Sequence, residues 1–290
     1  MTTTPASTTP AARAERWQRF RTNRDRALAT PHGWLTLTSF QWLEDSPAAV
    51  DLAPGLWSTD GPDSSKTSPS TKARTAFLTA VPSDGLTLVE TGEKVDGTIS
   101  AVLADEESLM WVQFGGAKGD QVVVELAMRG GRYAIRTRDS ESSAFTGFDG
   151  VPTYRYNPEW EVTGRFEPYP APVEVPIGTA NPLVDGVHRT VGDVVFRLPG
   201  SIHEFRLQAE EEKLGALTVT FHDETNGDTT DDWRKLSLPR PRPDGSVVLD
   251  FNRAINYPSA FTPYGTCPMP VRNNSLDIRV EAGEKQPYPA

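Results

Sequence analysis

At 290 residues, with 39 acidic side chains against 29 basic ones and a formal charge of −10, the chain can bury a full core and is too acidic for non-specific binding to nucleic acid or an anionic membrane. Its single cysteine excludes an internal disulfide and fits a reducing compartment. The first ten residues have no basic n-region, no apolar h-region follows, and no window approaches the ~18 apolar residues of a membrane span, so a cytoplasmic protein is expected.

In chain order, residues 1–10 are Thr/Pro/Ala-rich and are expected to be a disordered tail. Thr9-Pro10 supplies an N-cap and first-turn proline for a helix to about Leu28, with Trp17, Phe20 and Leu28 as its sparse apolar side. Thr30-Pro31-His32-Gly33 stops it. The run Arg13, Arg16, Arg19, Arg21, Arg24, Arg26, interrupted by Glu15 and Asp25, reads as a solvated helix face. Trp34 to Leu43 suggests burial on both sides, its two tryptophans acting as core anchors. Thr59 to Thr75 is low-complexity and polar, a long exposed loop.

From Leu86 short apolar runs recur about every ten residues: 86–90, 97–103, 109–114, 122–128 and 132–137. Glycines between them, notably Gly115-Gly116 and Gly130-Gly131, supply hairpin turns, so an antiparallel meander is expected. Glu159 to Pro168 alternates with period two and reads as a strand. Pro168 to Pro182, with five prolines, reads as a seam between halves. Further strands follow at 193–198, 203–208, 216–222, 246–251 and 277–281. The fold class is therefore all-β: two packed antiparallel β units, each a sandwich or barrel, with a short N-terminal helix. The expected division is a tail at 1–10, a helix plus sandwich-like unit at 11–160, and a C-terminal unit at 161–290.

No nucleophile elbow, dinucleotide loop, P-loop, zinc-protease helix or paired C-x-x-C occurs. The spacing of His188, His203 and His222 does not demand a metal triad; no metal and no other cofactor is expected. Phe221 to Leu236 is a strand end, a polar loop of turn formers and an apolar return. Asp223 there is a candidate general base, with Lys235 or Arg234 facing it.

The most informative stretch is Asp250 to Pro270, D-F-N-R-A-I-N-Y-P-S-A-F-T-P-Y-G-T-C-P-M-P. Its prolines exclude a long helix or a central strand, and an aromatic-rich rigid loop leaving a strand is suited to line a pocket. Asn252 and Arg253 offer fixed donors, the guanidinium being suited to a carboxylate or phosphate. Tyr257, Phe261 and Tyr264 would wall the pocket, with Ser259, Thr262 and Cys267 as inner polar points. Cys267 would be the nucleophile if the site is catalytic, given a nearby base or positive field to lower its pKa. The alternative is structural: Arg253 satisfies carbonyls of the loop, and the aromatics plug one end of a barrel.

G-W-L-T-L (33–37) with Trp42-Leu43, R-F-E-P-Y (165–169), D-F-N-R-A (250–254), A-F-T-P-Y-G-T-C-P (260–268) and E-A-G-E-K (281–285) together resemble a bacterial family known as domain of unknown function 1684. The resemblance covers nearly the whole chain from about residue 15 and implies no particular activity. The family pattern has a cysteine where this chain has Ser259, which argues against a two-cysteine redox or metal site. It also favours T-Y-x-x-G-R-F where this chain reads T-D-D-W-R-K-L, so its tyrosine becomes Asp231 and its arginine Lys235. Residues 45–85 depart from it as well. In strand rhythm its N-terminal half is similar to a forkhead-associated-type sandwich, whose phosphothreonine-reading residues are not recognisable here.

The resulting expectation is a cytoplasmic β protein that binds a small polar or anionic metabolite and either only binds it or acts on it. Asn252, Arg253, Tyr257, Phe261, Thr262 and Tyr264 are the ligand contacts, and Asp223, Lys235, Ser259 and Cys267 the catalytic candidates. The alternative is a non-catalytic protein–protein interaction module. Free sheet edges allow a homodimer; no nucleic acid and no membrane are expected as partners.

Overall fold

The computed structural model describes residues 9–60 and 74–287. Most of the expected tail and residues 61–73 of the polar stretch lie outside them. Helix α1 (Pro10–Leu28) begins as its sequence dictates: the Thr9 hydroxyl accepts the Ala12 amide at 3.3 Å and the Thr9 carbonyl accepts the Arg13 amide at 3.1 Å. The rest is mostly β, in three sheets that are antiparallel apart from one short parallel pairing. Chain contacts divide it into residues 28–148 and a second unit made of 1–27 with 149–290. The expected grouping of α1 with the N-terminal strands is thereby corrected.

The unit 28–148 holds β1 (Gln41–Trp42), β2 (Ala48–Val50), β3 (Ala53–Thr59), β4 (Ala76–Ala80), β5 (Thr87–Leu88), β6 (Gly97–Ala101), β7 (Ser108–Phe114), β8 (Val122–Arg129) and β9 (Arg132–Asp139), then a single helical turn, α2 (Ser143–Thr146). The five runs read from Leu86 onward all contain strands. They do not form one meander, because β6 pairs with β4 in the sheet β2-β3-β4-β6 while β5, β7, β8 and β9 join β1 in the other. Gly130 and Gly131, at φ 56° and 70°, make the two-residue turn between β8 and β9. Trp57 from one sheet meets Trp111 from the other edge-on at 5.8 Å, inside a core that also takes Leu78, Val124, Leu126 and Ile135. Such a ring pair adds about 1 kcal/mol beyond its area burial.

The expectation that Trp34 and Trp42 anchor the core fails. Trp34 is 36% exposed, and Trp42 carries the Arg132 guanidinium 4.2 Å above its ring. Arginines alternate along β9, so Arg132, Arg136 and Arg138 share one face and stack with Trp42, Phe40 and Trp34. Glu125 neutralises Arg136 at 3.2 Å and Arg138 at 2.6 Å beneath those rings. Core-anchoring tryptophans and arginine-stacking ones look alike in a single strand, because the distinction lies on the neighbouring strand.

The second unit holds β10 (Glu161–Ile177), β11 (Gly186–Phe196), β12 (Phe205–Glu211), β13 (Leu217–Asp223), β14 (Arg234–Leu238), β15 (Ser246–Asp250), β16 (Ile255–Asn256) and β17 (Ser275–Leu276). They run in the order β15-β10-β11-β12-β13-β14-β16, with β17 beside β13. The proline-rich segment is no seam. β10 continues through Pro168, Pro170, Pro172 and Pro176, pairing with β11 as far as Ile177. β15 pairs only with Glu161 to Arg165, so beyond this β10 is an edge, where missing amide donors cost nothing and discourage further pairing.

The strand expected at 277–281 is also absent. That backbone is held by side chains, since Asp223 accepts the Val280 amide at 3.2 Å and Arg234 donates to the Val280 carbonyl at 2.9 Å. The sheet curls until β14 and β15 come together without hydrogen-bonding into a barrel. Val194, Leu207, Val219, Leu236 and Leu249 fill its inside around Phe251.

Candidate functional site

The Asp250–Pro270 motif builds its own scaffold first. Asp250 Oδ1 accepts the amide of Asn252 at 3.2 Å and its Nδ2 at 2.9 Å, capping the turn that leaves β15. Asn252 is buried and brackets Asn157: Oδ1 accepts the Asn157 amide and Nδ2 donates to the Asn157 carbonyl, both at 2.9 Å. Its own carbonyl accepts Trp17 Nε1 at 3.0 Å. Asn252 is therefore a splint between chain segments rather than a free ligand contact.

The aromatics close down on the sheet. The Tyr257 hydroxyl lies 2.6 Å from Thr220 Oγ1, and burial pushes its phenol well above the ordinary range. Phe261 and Thr262 are buried, the Phe261 ring centroid 5.9 Å from the Arg24 guanidinium and Thr262 Oγ1 accepting the Tyr264 amide at 3.3 Å. Tyr264 is half-buried. Ser259 Oγ is enclosed without a hydrogen-bond partner, and Cys267 is a buried thiol outside any disulfide. The loop packs these two neighbourhoods tightly, since a Cβ on Gly265 would stand 3.4 Å from Cys267 Sγ and from Ser259 Cα.

The other catalytic candidates are kept apart from the loop and from each other. Asp223 is fully buried against Arg234 at 2.6 Å, and its second oxygen takes the amides of Thr225 (2.9 Å) and Val280 (3.2 Å). No oxygen is left for a ligand proton, so the general-base reading is corrected. Lys235, next along β14, points to the other face and pairs with Glu212 at 3.1 Å. His188 sits buried with Nδ1 2.8 Å from Thr190 Oγ1; among the described residues no three His, Cys, Asp or Glu side chains gather as metal ligands.

Of the ligand contacts expected from sequence, Arg253 lines a sizeable cleft to which Asn252, Tyr257, Phe261, Thr262 and Tyr264 do not contribute. The cleft, of about 430 Å³, opens where the curled sheet brings β14 and β15 together beneath α1. Glu161, Val248, Asp250, Leu238 and Ile255 come from the strands, Arg16 and Phe20 from the helix. A continuation of about 370 Å³ shares Arg16, Phe20, Glu161, Asp250 and Arg253 and adds Arg13, Trp17, Arg19 and Asn23. The Arg253 guanidinium stacks 4.4 Å from the centroid of Phe20. Arg13 lies 3.5 Å from Glu161, whereas Arg16, Arg19 and Arg253 have no ion-pair partner among the described residues. Burial, and secondarily the Glu161 charge, push the Asp250 carboxyl above its usual range.

The helix arginines thus divide between two tasks that the sequence reading merged into one solvated face. Arg21 and Arg24 turn inward to buried Glu284, while Arg13, Arg16 and Arg19 turn to the cleft. The signal was the three-residue spacing of 13, 16 and 19, which places them on one helix side.

The substituted turn carries its own expectation. Burial, followed by the adjacent Asp232 carboxylate, pushes Asp231 up to about 6 from its ordinary 3.8. The unfolded chain releases this proton first as pH rises, so the folded state binds more protons between the two values and stability falls across that window. Asp231→Asn removes the fall. It is expected to stabilise the protein by about 1 kcal/mol at pH 8, after allowing for solvent screening, and to have little effect at pH 3.5. Thermal melts of both proteins at the two pH values check this; an equal shift at both would contradict it.

No curated protein matches the chain. Among solved structures, similarity is found to the solution NMR structure of an uncharacterized protein of Haloarcula marismortui, at 28% identity over 48% of this chain and 78% of that chain, with a TM-score of 0.40. Residues 146–285 match the family described as "Protein of unknown function (DUF1684)". The match begins after the G-W-L-T-L motif, so the coverage expected from about residue 15 is corrected to the C-terminal part. Through residues 146–285, which contain β10 to β17 and the whole D-F-N-R-A to E-A-G-E-K series, the chain is similar to the family of unknown function DUF1684.

Proposed function

We propose that this is a cytoplasmic binding protein for a small anionic metabolite, held in the cleft between α1 and the β10–β15 strands. One observation carries the reading: in a chain of charge −10, Arg16, Arg19 and Arg253 converge on one cleft without carboxylate partners among the described residues. A guanidinium is a fork of donors matched to carboxylate and phosphate oxygens. Phe20 holds Arg253 in place, which lowers the entropy lost on binding. Val248, Leu238 and Ile255 offer apolar surface to the rest of the ligand. Nothing in the cleft has the nucleophile–base geometry of covalent catalysis, so binding is the function argued.

The test is calorimetric titration of the full chain with inorganic phosphate and with 4-methylpentanoate, alongside native mass spectrometry of gently purified protein. Wild type is expected to bind at least one anion or to retain an anionic ligand. Arg253→Ala is expected to weaken binding on the order of tenfold or more, the loss typical of a charged hydrogen bond. Arg16→Gln, on the exposed helix face, provides a second variant whose folding is not at stake. A clean apo mass together with no heat from phosphate or from any carboxylate-bearing probe would refute the reading.

A further inference from the structure

We propose that the ligand of this cleft is an α-amino acid with an apolar side chain, its carboxylate held by Arg253 and Arg16 and its ammonium group by Asp250 and Glu161. This rests on the anion-binding reading and specifies it.

Glu161 and Asp250 stand directly opposite each other in the β10–β15 register, and both line the cleft. Cβ atoms of such a pair are about 5 Å apart, and like charges placed there destabilise a sheet. Each carboxylate has one oxygen engaged: Asp250 Oδ1 by Asn252, Glu161 Oε1 by Arg13 at 3.5 Å. Among the described residues, Asp250 Oδ2 and Glu161 Oε2 have no hydrogen-bond partner. The structure therefore places two facing, half-engaged carboxylates where a bound cation would relieve their repulsion.

Arg13 relieves Glu161 in part, at 3.5 Å, and the other cations of the cleft leave Asp250 without an ion-pair partner. Opposite charges sharing a surface cleft ordinarily collapse into ion pairs. Here Arg253 is held over Phe20, and neither it nor Arg16 reaches a carboxylate at ion-pair distance. A simple anion would satisfy the guanidiniums but face Asp250 and Glu161 as like charges. A simple amine would do the reverse. A ligand carrying both charges on one carbon meets both sets at once, and Leu238, Val248 and Ile255 beside them suit an aliphatic or aromatic side chain. The cleft volume of about 430 Å³ is of the size that holds a small molecule.

The experiment compares L-leucine with 4-methylpentanoate, which lacks the ammonium group, and 3-methylbutylamine, which lacks the carboxylate, by calorimetry on the full chain at neutral pH. L-Leucine is expected to bind roughly tenfold or more tightly than either analogue. Asp250→Asn keeps the Oδ1 acceptor for Asn252 and removes only the charge; Glu161→Gln is the second variant. Each is expected to weaken L-leucine roughly tenfold and to leave 4-methylpentanoate unchanged or tighter. If 4-methylpentanoate binds wild type as tightly as L-leucine and both variants are silent, the amino-acid assignment is overturned while the anion reading stands. The same holds if phosphate binds and neither acid does. Failure of all three anionic probes overturns both.

Discussion

Glu284→Gln is expected to lower the unfolding free energy by about 3–5 kcal/mol, the cost of leaving buried charge uncompensated. The Glu284 side chain is wholly buried, yet it receives Arg21 at 2.6 Å, Arg24 at 3.0 Å and the Asn256 amide at 2.7 Å. Glutamine removes the charge and places an NH2 group where an acceptor is required, leaving Arg21 buried with one weaker carboxylate partner, half-exposed Asp25. The pair is also the latch that holds α1 to the strands, so hydrogen exchange of the α1 amides should accelerate before the sheet opens. Because α1 forms one wall of the cleft, ligand affinity should fall with it. A loss below about 1 kcal/mol in urea denaturation would mean that the arginines regain water without the carboxylate, and the latch would be refuted.

Asp223→Ala should cost a similar amount, about 3–5 kcal/mol, and here the double variant is the sharper test. Arg234 is fully buried and reaches Asp223 at 2.6 Å, the Val280 carbonyl at 2.9 Å, the Glu284 carbonyl at 3.3 Å and the Ala282 carbonyl. Many buried ion pairs can be exchanged for apolar residues at little cost, since desolvation cancels their attraction. This one stands in for a strand ladder: residues 278–284 have no regular pairing, and the Arg234 fork supplies their donors. Asp223→Leu combined with Arg234→Met would strand the Ala282 and Glu284 carbonyls, at about 1–3 kcal/mol each, while the Val280 carbonyl keeps the Ala282 amide at 2.8 Å. The double variant is therefore expected to be at least as unstable as the single one. Recovery of wild-type stability by the double variant would show the pair to be dispensable.

These two networks explain why the strongest motifs were misread in part. D-F-N-R-A, the polar turn before Arg234 and E-A-G-E-K each contain charged and amide side chains of the types that bind ligands. In the fold Asn252, Asp223, Arg234 and Glu284 bind backbone of the same unit instead. A side chain's partner is a property of what lies opposite it, and segments that meet here lie far apart in sequence, as Asn157 and Asn252, 95 residues apart, illustrate.

Sequence alone determined the elements whose cause is local. Alternation made β15 a half-buried strand, with burial at every second residue. Gly130-Gly131 set a hairpin because only glycine enters both left-handed positions without strain, and Thr9-Pro10 set the start of α1 because its first amides need an acceptor. Only the tertiary structure decided which arginines of α1 are buried and which face the cleft. It also decided that Pro168 to Ile177 is an edge strand rather than a seam, and that Arg253 lines the sizeable cleft to which the motif's other expected ligand contacts do not contribute. Those outcomes depend on where the curled sheet leaves an edge unpaired and where it leaves a gap beneath the helix. Helical and strand periods state which side chains share a face; they carry no information about what that face meets.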